Sequence, residues 1–221
     1  MQEEHHRNVR FTQDPSLERE VLDRLRDKYL TTKPHPHLTE LLYCLTRAWY
    51  DQRRPLPPSD QELMYFAIGF GLEAVILRVE GERDIESTQV DGVWLTLDYI
   101  DLYGQGADLK STRMYPDPMT GEPKRGWPEN WHKQFMAYAR LLGSTNFGVV
   151  VMYLVPAKLV AGVLSYSKQD MDDNWEWVLD RAGELQMFLD AGEPPPPFAT
   201  NAAWECKNCR YRMRCEVLKG T

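Results

Sequence analysis

Cysteine occupies four positions in this chain, and their placement restricts the fold more than any other feature. Cys44 stands alone, while Cys206, Cys209 and Cys215 crowd the far end as C-x2-C-x5-C within WECKNCRYRMRC. If the four thiols meet, one metal centre ties residue 44 to the tail and closes everything between into a single loop. The 221 residues, 43% hydrophobic and 27% charged, suffice for one core. One domain, 1–221, is therefore expected. Its parts are an N-terminal helix and linker (1–37), a helix carrying Cys44 (38–58), a catalytic-type core (59–190) and a cysteine cluster (198–221).

The first 30 residues are rich in Glu, His, Arg and Asp, so no signal peptide is expected. The longest apolar run, 147–155, is far too short to cross a bilayer. The expected compartment is the cytoplasm, where thiols stay reduced and clustered cysteines read as metal ligands. From chemistry alone, four thiolates suit zinc or an iron–sulfur cluster.

A net charge of −7 argues against a simple nucleic-acid coat protein. It leaves room for a local basic groove that touches phosphate. The tail sets Lys207, Arg210, Arg212, Arg214 and Lys219 against Glu205 and Glu216, and Lys124, Arg125, Lys133 and Arg140 form a looser group. Taken singly, most of these read as solvated surface.

Along the chain, Ser16 precedes a helical spacing of Leu17, Val21, Leu22 and Leu25. A helix starting near Leu38 carries Leu41, Leu42, Cys44, Leu45 and Trp49, and Ser59 opens another that holds Glu73. Val93, Leu95, Leu97 and Tyr99 alternate as in a half-buried strand, and ADLKST is its returning partner. A long Pro- and Gly-rich loop leads to a helix over 129–142, ended by Gly143. NFGVVVMYLVP reads as a fully buried strand, 159–166 as another strand and 170–189 as a helix. His35, His37 and His132 read as ordinary surface residues, and Trp127, Trp131, Tyr43 and Trp49 as packing.

Asp98 and Asp108 are equidistant from the turn near Tyr103, so antiparallel pairing sets them opposite each other on one face. Lys110 shares that face, and Asp101 has the other parity. Two carboxylates held together repel unless a cation relieves them. Oxygen ligands suit magnesium or manganese, with Glu73, Asp98 and Asp108 as donors and the carbonyl of Leu109 as a further one. Lys110 would orient the metal-bound water or stabilise charge developing on a phosphate.

TLDYIDLYGQGADLKST resembles the PD-(D/E)xK nuclease signature, at Asp98, Asp108 and Lys110, with Glu73 in GFGLEAVI as the acidic residue on an earlier helix. HKQFMAYARLLG resembles the Q-x3-Y motif of RecB-like nucleases, at Gln134 and Tyr138. HLTELLYCLTRAWY resembles the first cluster motif of the iron–sulfur branch, a Cys followed three residues later by Arg, at Cys44 and Arg47. The matching families are CRISPR-associated RecB-like iron–sulfur exonucleases, their phage relatives and AddB-type nuclease domains. Many CRISPR-associated members carry His where Glu73 stands, and Leu-Thr replaces the Pro that often follows the first Cys.

This resemblance implies an α/β restriction-endonuclease-like core, a small mixed sheet flanked by helices, with a C-terminal clasp. It implies a structural 4Fe–4S cluster on Cys44, Cys206, Cys209 and Cys215. It also implies magnesium- or manganese-dependent exonuclease action on single-stranded DNA or free ends, 5′→3′. The setting would be phage or mobile-element recombination or CRISPR spacer processing, with integration proteins as partners and no membrane. Arg47, Gln134, Tyr138 and Arg210 are the candidate DNA contacts. The rival readings are a non-catalytic iron–sulfur DNA-end-binding adaptor and an RNA-directed nuclease.

Overall fold

A computed structural model of the chain describes residues 13–29, 35–76, 87–100, 105–197 and 203–219. Asp101 and the turn at Tyr103 lie outside the described residues. Helix α1 (Pro15–Tyr29) is capped two residues earlier than Ser16, by Asp14. Oδ1 of Asp14 accepts hydrogen bonds from the amides of Ser16 (2.9 Å) and Leu17 (3.1 Å). Pro15 takes the first helical position, where its missing N–H is no loss.

The single helix expected over 38–58 is two, α2 (Leu38–Leu42) and α3 (Leu45–Arg53). Tyr43 and Cys44 between them are extended, because partners far along the chain satisfy the backbone here. The Arg181 guanidinium donates to the carbonyls of Leu41 and Tyr43. Glu205 Oε1 accepts the Cys44 amide at 2.7 Å across 161 residues. Helix α4 (Asp60–Ile76) opens on a reciprocal cap: Ser59 Oγ accepts the Glu62 amide (3.2 Å) and Glu62 Oε2 accepts the Ser59 amide (2.9 Å).

The strand expected over 93–99 is also divided. β1 (Thr88–Val90) and β2 (Val93–Leu95) form a hairpin of their own. Asp91 and Gly92 turn it with φ of 48° and 86°, the positive pair that such a turn requires. β3 (Tyr99–Ile100) then joins β4 (Gly106–Thr112), β5 (Asn146–Leu154) and β6 (Ala157–Ser165) in the order β3-β4-β5-β6. β3/β4 and β5/β6 are antiparallel and β4/β5 is parallel, so the sheet is mixed. A parallel pair needs a crossover, and α5 (Glu129–Leu141) supplies it. Gly143, at φ 64°, ends α5: its amide returns to Arg140 O and that of Ser144 to Ala139 O.

β5 is buried on one face only. Phe147, Val149, Val151 and Tyr153 are buried, while Gly148, Val150, Met152 and Leu154 are half-buried and Asn146 is exposed. The buried face packs through Phe147 on Phe135 and Tyr138 of α5, and Tyr153 donates to the carbonyl of Gly121 (2.8 Å) in the long loop. α6 (Lys168–Ala191) follows the sheet. The tail forms α7 (Ala203–Lys207) and α8 (Arg212–Lys219). No helix among the described residues is long and apolar enough to cross a membrane.

Candidate active site

Tyr99 pairs with Ala107 and Ile100 with Gly106, a register centred on residue 103. Continued by one pair, it sets Asp98 against Asp108, and Asp98 Oδ2 accepts the Leu109 amide at 2.9 Å. Asp108, Lys110 and Thr112 pair with Val149, Val151 and Tyr153, so they share the sheet face that α5 covers. Gln134 on α5 faces them. Its Oε1 accepts from Lys110 Nζ (2.9 Å), and its Nε2 donates to Asp108 Oδ1 (3.3 Å) and to the Tyr138 hydroxyl (3.0 Å). Tyr138, one helical turn on, donates to the carbonyl of Thr96 at 2.7 Å. One glutamine therefore sets the positions of the carboxylate, the ammonium and the phenol.

Asp108 is fully buried. Lys110 Nζ lies 2.6 Å from its Oδ2, and no other donor reaches that oxygen. The contact is an ion pair that leaves an acceptor unused. Burial lifts the Asp108 carboxyl to about 7; Lys110 opposes the rise, and Asp98 and Glu73 add to it. For Lys110, burial works against the charge, yet Asp108 and Asp98 outweigh it and hold the ammonium above its ordinary range. Burial likewise pushes the Tyr138 phenol well up, with Asp108, Asp98 and Glu73 adding to the rise. The half-buried Glu73 therefore acts on this centre from α4 through its charge.

Among the described residues, no three His, Cys, Asp or Glu side chains stand together closely enough to hold a metal ion. The donor chemistry nevertheless fits a hard divalent cation. Oxygen is the only ligand atom offered, two carboxylates share a face, and one buried oxygen lacks a donor.

The cysteines lie elsewhere. Cys44 and Cys209 line one half-open cavity of about 740 Å³ between α2, α3, the start of α4 and the tail. Cys206 is exposed, and Cys215 is partly buried beside Tyr211 and Tyr50. Four thiols on docked chain ends match the donor chemistry of a cluster, though only Cys44 and Cys209 share that cavity.

Arg47 and Arg210 turn toward carboxylates in the same cavity. Arg47 pairs with Asp51 (3.6 Å) and Glu62 (3.2 Å), and Arg210 with Asp51 and with Glu62 (3.5 Å). Tyr211, fully buried, stacks on Tyr50, donates to Asp51 (2.6 Å) and accepts the Leu56 amide (3.1 Å).

Some functional contacts escaped the sequence reading. His37 is buried, not superficial: it caps α2, and its Nε2 meets Thr96 Oγ1 at 3.1 Å. The S-x-x-E of Ser59–Glu62 and the D-G of 91–92 were visible signals. Nothing local marked Thr96 or Glu205.

No family model and no curated protein matches the chain. Among solved structures it is similar to the crystal structure of SSO0001, with a TM-score of 0.56 and 16% identity over 90% of this chain and 95% of that one. That likeness is one of fold. It is also similar to an alkaline exonuclease, LHK-Exo from Laribacter hongkongensis, with a TM-score of 0.42 and 12% identity over 76% of this chain and 95% of that one. The second likeness is too loose to speak for the chemistry of this chain.

Proposed function

We propose that the chain is a magnesium- or manganese-dependent deoxyribonuclease with its reaction centre at Asp98, Asp108 and Lys110. The observation that carries this reading is the buried Asp108, with Lys110 and Gln134 built around it and one oxygen left without a hydrogen-bond donor. A carboxylate in that state is costly unless a ligand uses it. A bound divalent cation would supply Lewis acidity toward a phosphate oxygen and a more acidic water.

The chain's own residues do the rest. Asp98 and Asp108 would hold the cation, with Glu73 adding negative charge from α4. Asp98 also fixes the strand by accepting the Leu109 amide, and the Leu109 carbonyl is a further candidate donor. Lys110 keeps its proton and offers it to the charge that develops on the attacked phosphate. Gln134 accepts a hydrogen bond from Lys110 and so fixes the ammonium beside Asp108. Tyr138 anchors Gln134 to the backbone at Thr96.

Within this reading, Cys44, Cys206, Cys209 and Cys215 hold a 4Fe–4S cluster that fastens the chain ends, and the substrate is single-stranded DNA degraded 5′→3′. The motif resemblance supports both. Recombination or CRISPR integration proteins are the corresponding partners.

The test is digestion of 5′- and 3′-labelled single-stranded DNA by anaerobically purified protein with manganese, beside Lys110→Ala. Release of the 5′ label first, abolished by the substitution, is the expected result. Wild type and variant that bind DNA but are equally inert would overturn the catalytic reading in favour of the adaptor.

A further inference from the structure

Most cations of this chain are already engaged. Among the described residues, Arg113, Lys124, Arg125, Lys158 and Lys207 are exposed and have no ion pair, side-chain hydrogen bond or ring partner. The other described Lys and Arg side chains are held by a carboxylate, a backbone carbonyl or an aromatic ring. All of the free cations but Lys207 gather at one end of the main sheet. Thr112, the last residue of β4, pairs with Tyr153, and Tyr153 pairs with Lys158. Paired residues point to one face, so Lys158 shares the face of Tyr153 at the end where β4 runs on into Arg113.

The long loop after β4 lies over the same corner. The Tyr153 hydroxyl donates to the Gly121 carbonyl, and a Cβ added at Gly121 would lie 3.0 Å from Val160 Cγ1 of β6. The loop folds back on itself through an antiparallel bridge between Pro116 and Pro123, and the Lys124 amide donates to the Tyr115 carbonyl at 2.9 Å. Its own two carboxylates are engaged by the loop itself. Asp117 Oδ1 accepts the amides of Met119 (2.8 Å) and Thr120 (3.0 Å), and Glu122 Oε1 accepts the Trp127 indole N–H (3.3 Å). Arg113, Lys124 and Arg125 therefore stay uncovered. Beside Lys124, the Tyr115 ring is 59% exposed and has no ring partner among the described residues.

A fixed loop that displays cations around a bare aromatic ring has the make-up of a single-strand platform: phosphates meet the cations, and a base stacks on the ring. The reaction centre is close. Lys110 precedes Thr112 by two residues on β4, about 7 Å along the strand. Arg47 and Arg210, by contrast, are already paired with Asp51 and Glu62. We infer that Arg113, Tyr115, Lys124, Arg125 and Lys158 hold the single-stranded DNA beside the bond to be cut, with the cations on its phosphates and Tyr115 under one base. DNA as the polyanion rests on the nuclease reading above.

The test is fluorescence anisotropy of a labelled oligo-dT strand with the full chain across a salt series, without divalent metal so that the strand is not cut. The fourfold variant Arg113→Gln, Lys124→Gln, Arg125→Gln, Lys158→Gln should flatten the slope of log affinity against log salt by about 2–3. Lys168→Gln, beyond Ser165 at the opposite end of the sheet, should leave the slope unchanged. Tyr115→Ala should weaken binding about 5–100-fold, and should leave the affinity for an abasic strand of equal length as it is in wild type. The substituted loop and β6 positions are all exposed, so circular dichroism should be unchanged. If the fourfold variant fails to fold, Lys124→Gln with Arg125→Gln carries the test, flattening the slope by about 1–1.5. Wild-type binding that none of the loop and β6 variants alters, or that Lys168→Gln alters equally, would overturn this inference and leave the nuclease reading standing. Wild type that binds no DNA would overturn both. Protein that binds through these residues yet stays inert with manganese would uphold the inference and overturn the catalytic reading.

Discussion

Two polar centres stand out among the described residues, and they are held together in different ways. Around Asp108 the network is short-range in space and is organised by one neutral side chain. One amide, Gln134, touches the carboxylate, the ammonium and the phenol, and one carboxylate oxygen stays without a donor. Around the cysteines, two arginines and two carboxylates cross-pair, and Tyr211 donates to one of those carboxylates. The first arrangement leaves capacity for a ligand, whereas the second spends its charges on holding chain ends together. Substitutions at the first centre should therefore alter chemistry, and those at the second should alter stability.

The strongest way to break this contrast is Tyr211→Ala. Tyr211 is fully buried, stacked and doubly hydrogen-bonded. Its loss should cost about 3–5 kcal/mol, the range for truncating a buried Phe or Trp. Denaturant unfolding reads this, and the activity per folded molecule should stay near that of wild type. Lys110→Ala should do the reverse, lowering the cleavage rate about 10²–10³-fold with metal at saturation while thermal unfolding moves little.

An intermediate case joins the two. A Cβ at Gly148 would lie 2.9 Å from the Gly106 carbonyl and 2.9 Å from Ala107 Cβ. Gly148→Ala should therefore push β5 from β4 and cost about 1–3 kcal/mol. It should lower activity as well, because β4 carries Asp108 and Lys110.

The smallest effect sharpens the account of Asp108. Its carboxyl is raised in the folded chain from 3.8 to about 7, so the folded state holds this proton more tightly than the unfolded state. That contribution to stability is fully present below pH 4 and is lost as pH climbs through about 7. In chelator-treated protein, the unfolding temperature should fall across that window more steeply for wild type than for Asp108→Asn. Excess manganese should flatten the fall, since a cation binds the deprotonated carboxylate.

The first centre was more legible in the sequence than the second. The equal distances of Asp98 and Asp108 from residue 103 anticipated the hairpin register, because strand pairing depends only on counting residues. Gly143 marked the end of α5 for an equally local reason. The break at Tyr43–Cys44 was hidden inside a continuous helical pattern. Arg181 and Glu205 impose it from 138 and 161 residues away, and no local propensity records that. The ion pairs that engage Arg210 were hidden for the same reason: Asp51 and Glu62 reach it only once the tail has docked, whereas Arg47–Asp51 is a local i, i+4 pair. Likewise, the burial of β5 on one face depends on what covers the sheet, and its own run of valines carries no mark of it.

The most direct test of the central claim is manganese binding to the metal-free protein, followed by electron paramagnetic resonance, in wild type and Asp108→Asn. The account predicts a manganese site in wild type that tightens as pH rises through about 7 and is lost in the variant. Equal binding by both proteins, or none by wild type at any pH, would contradict it.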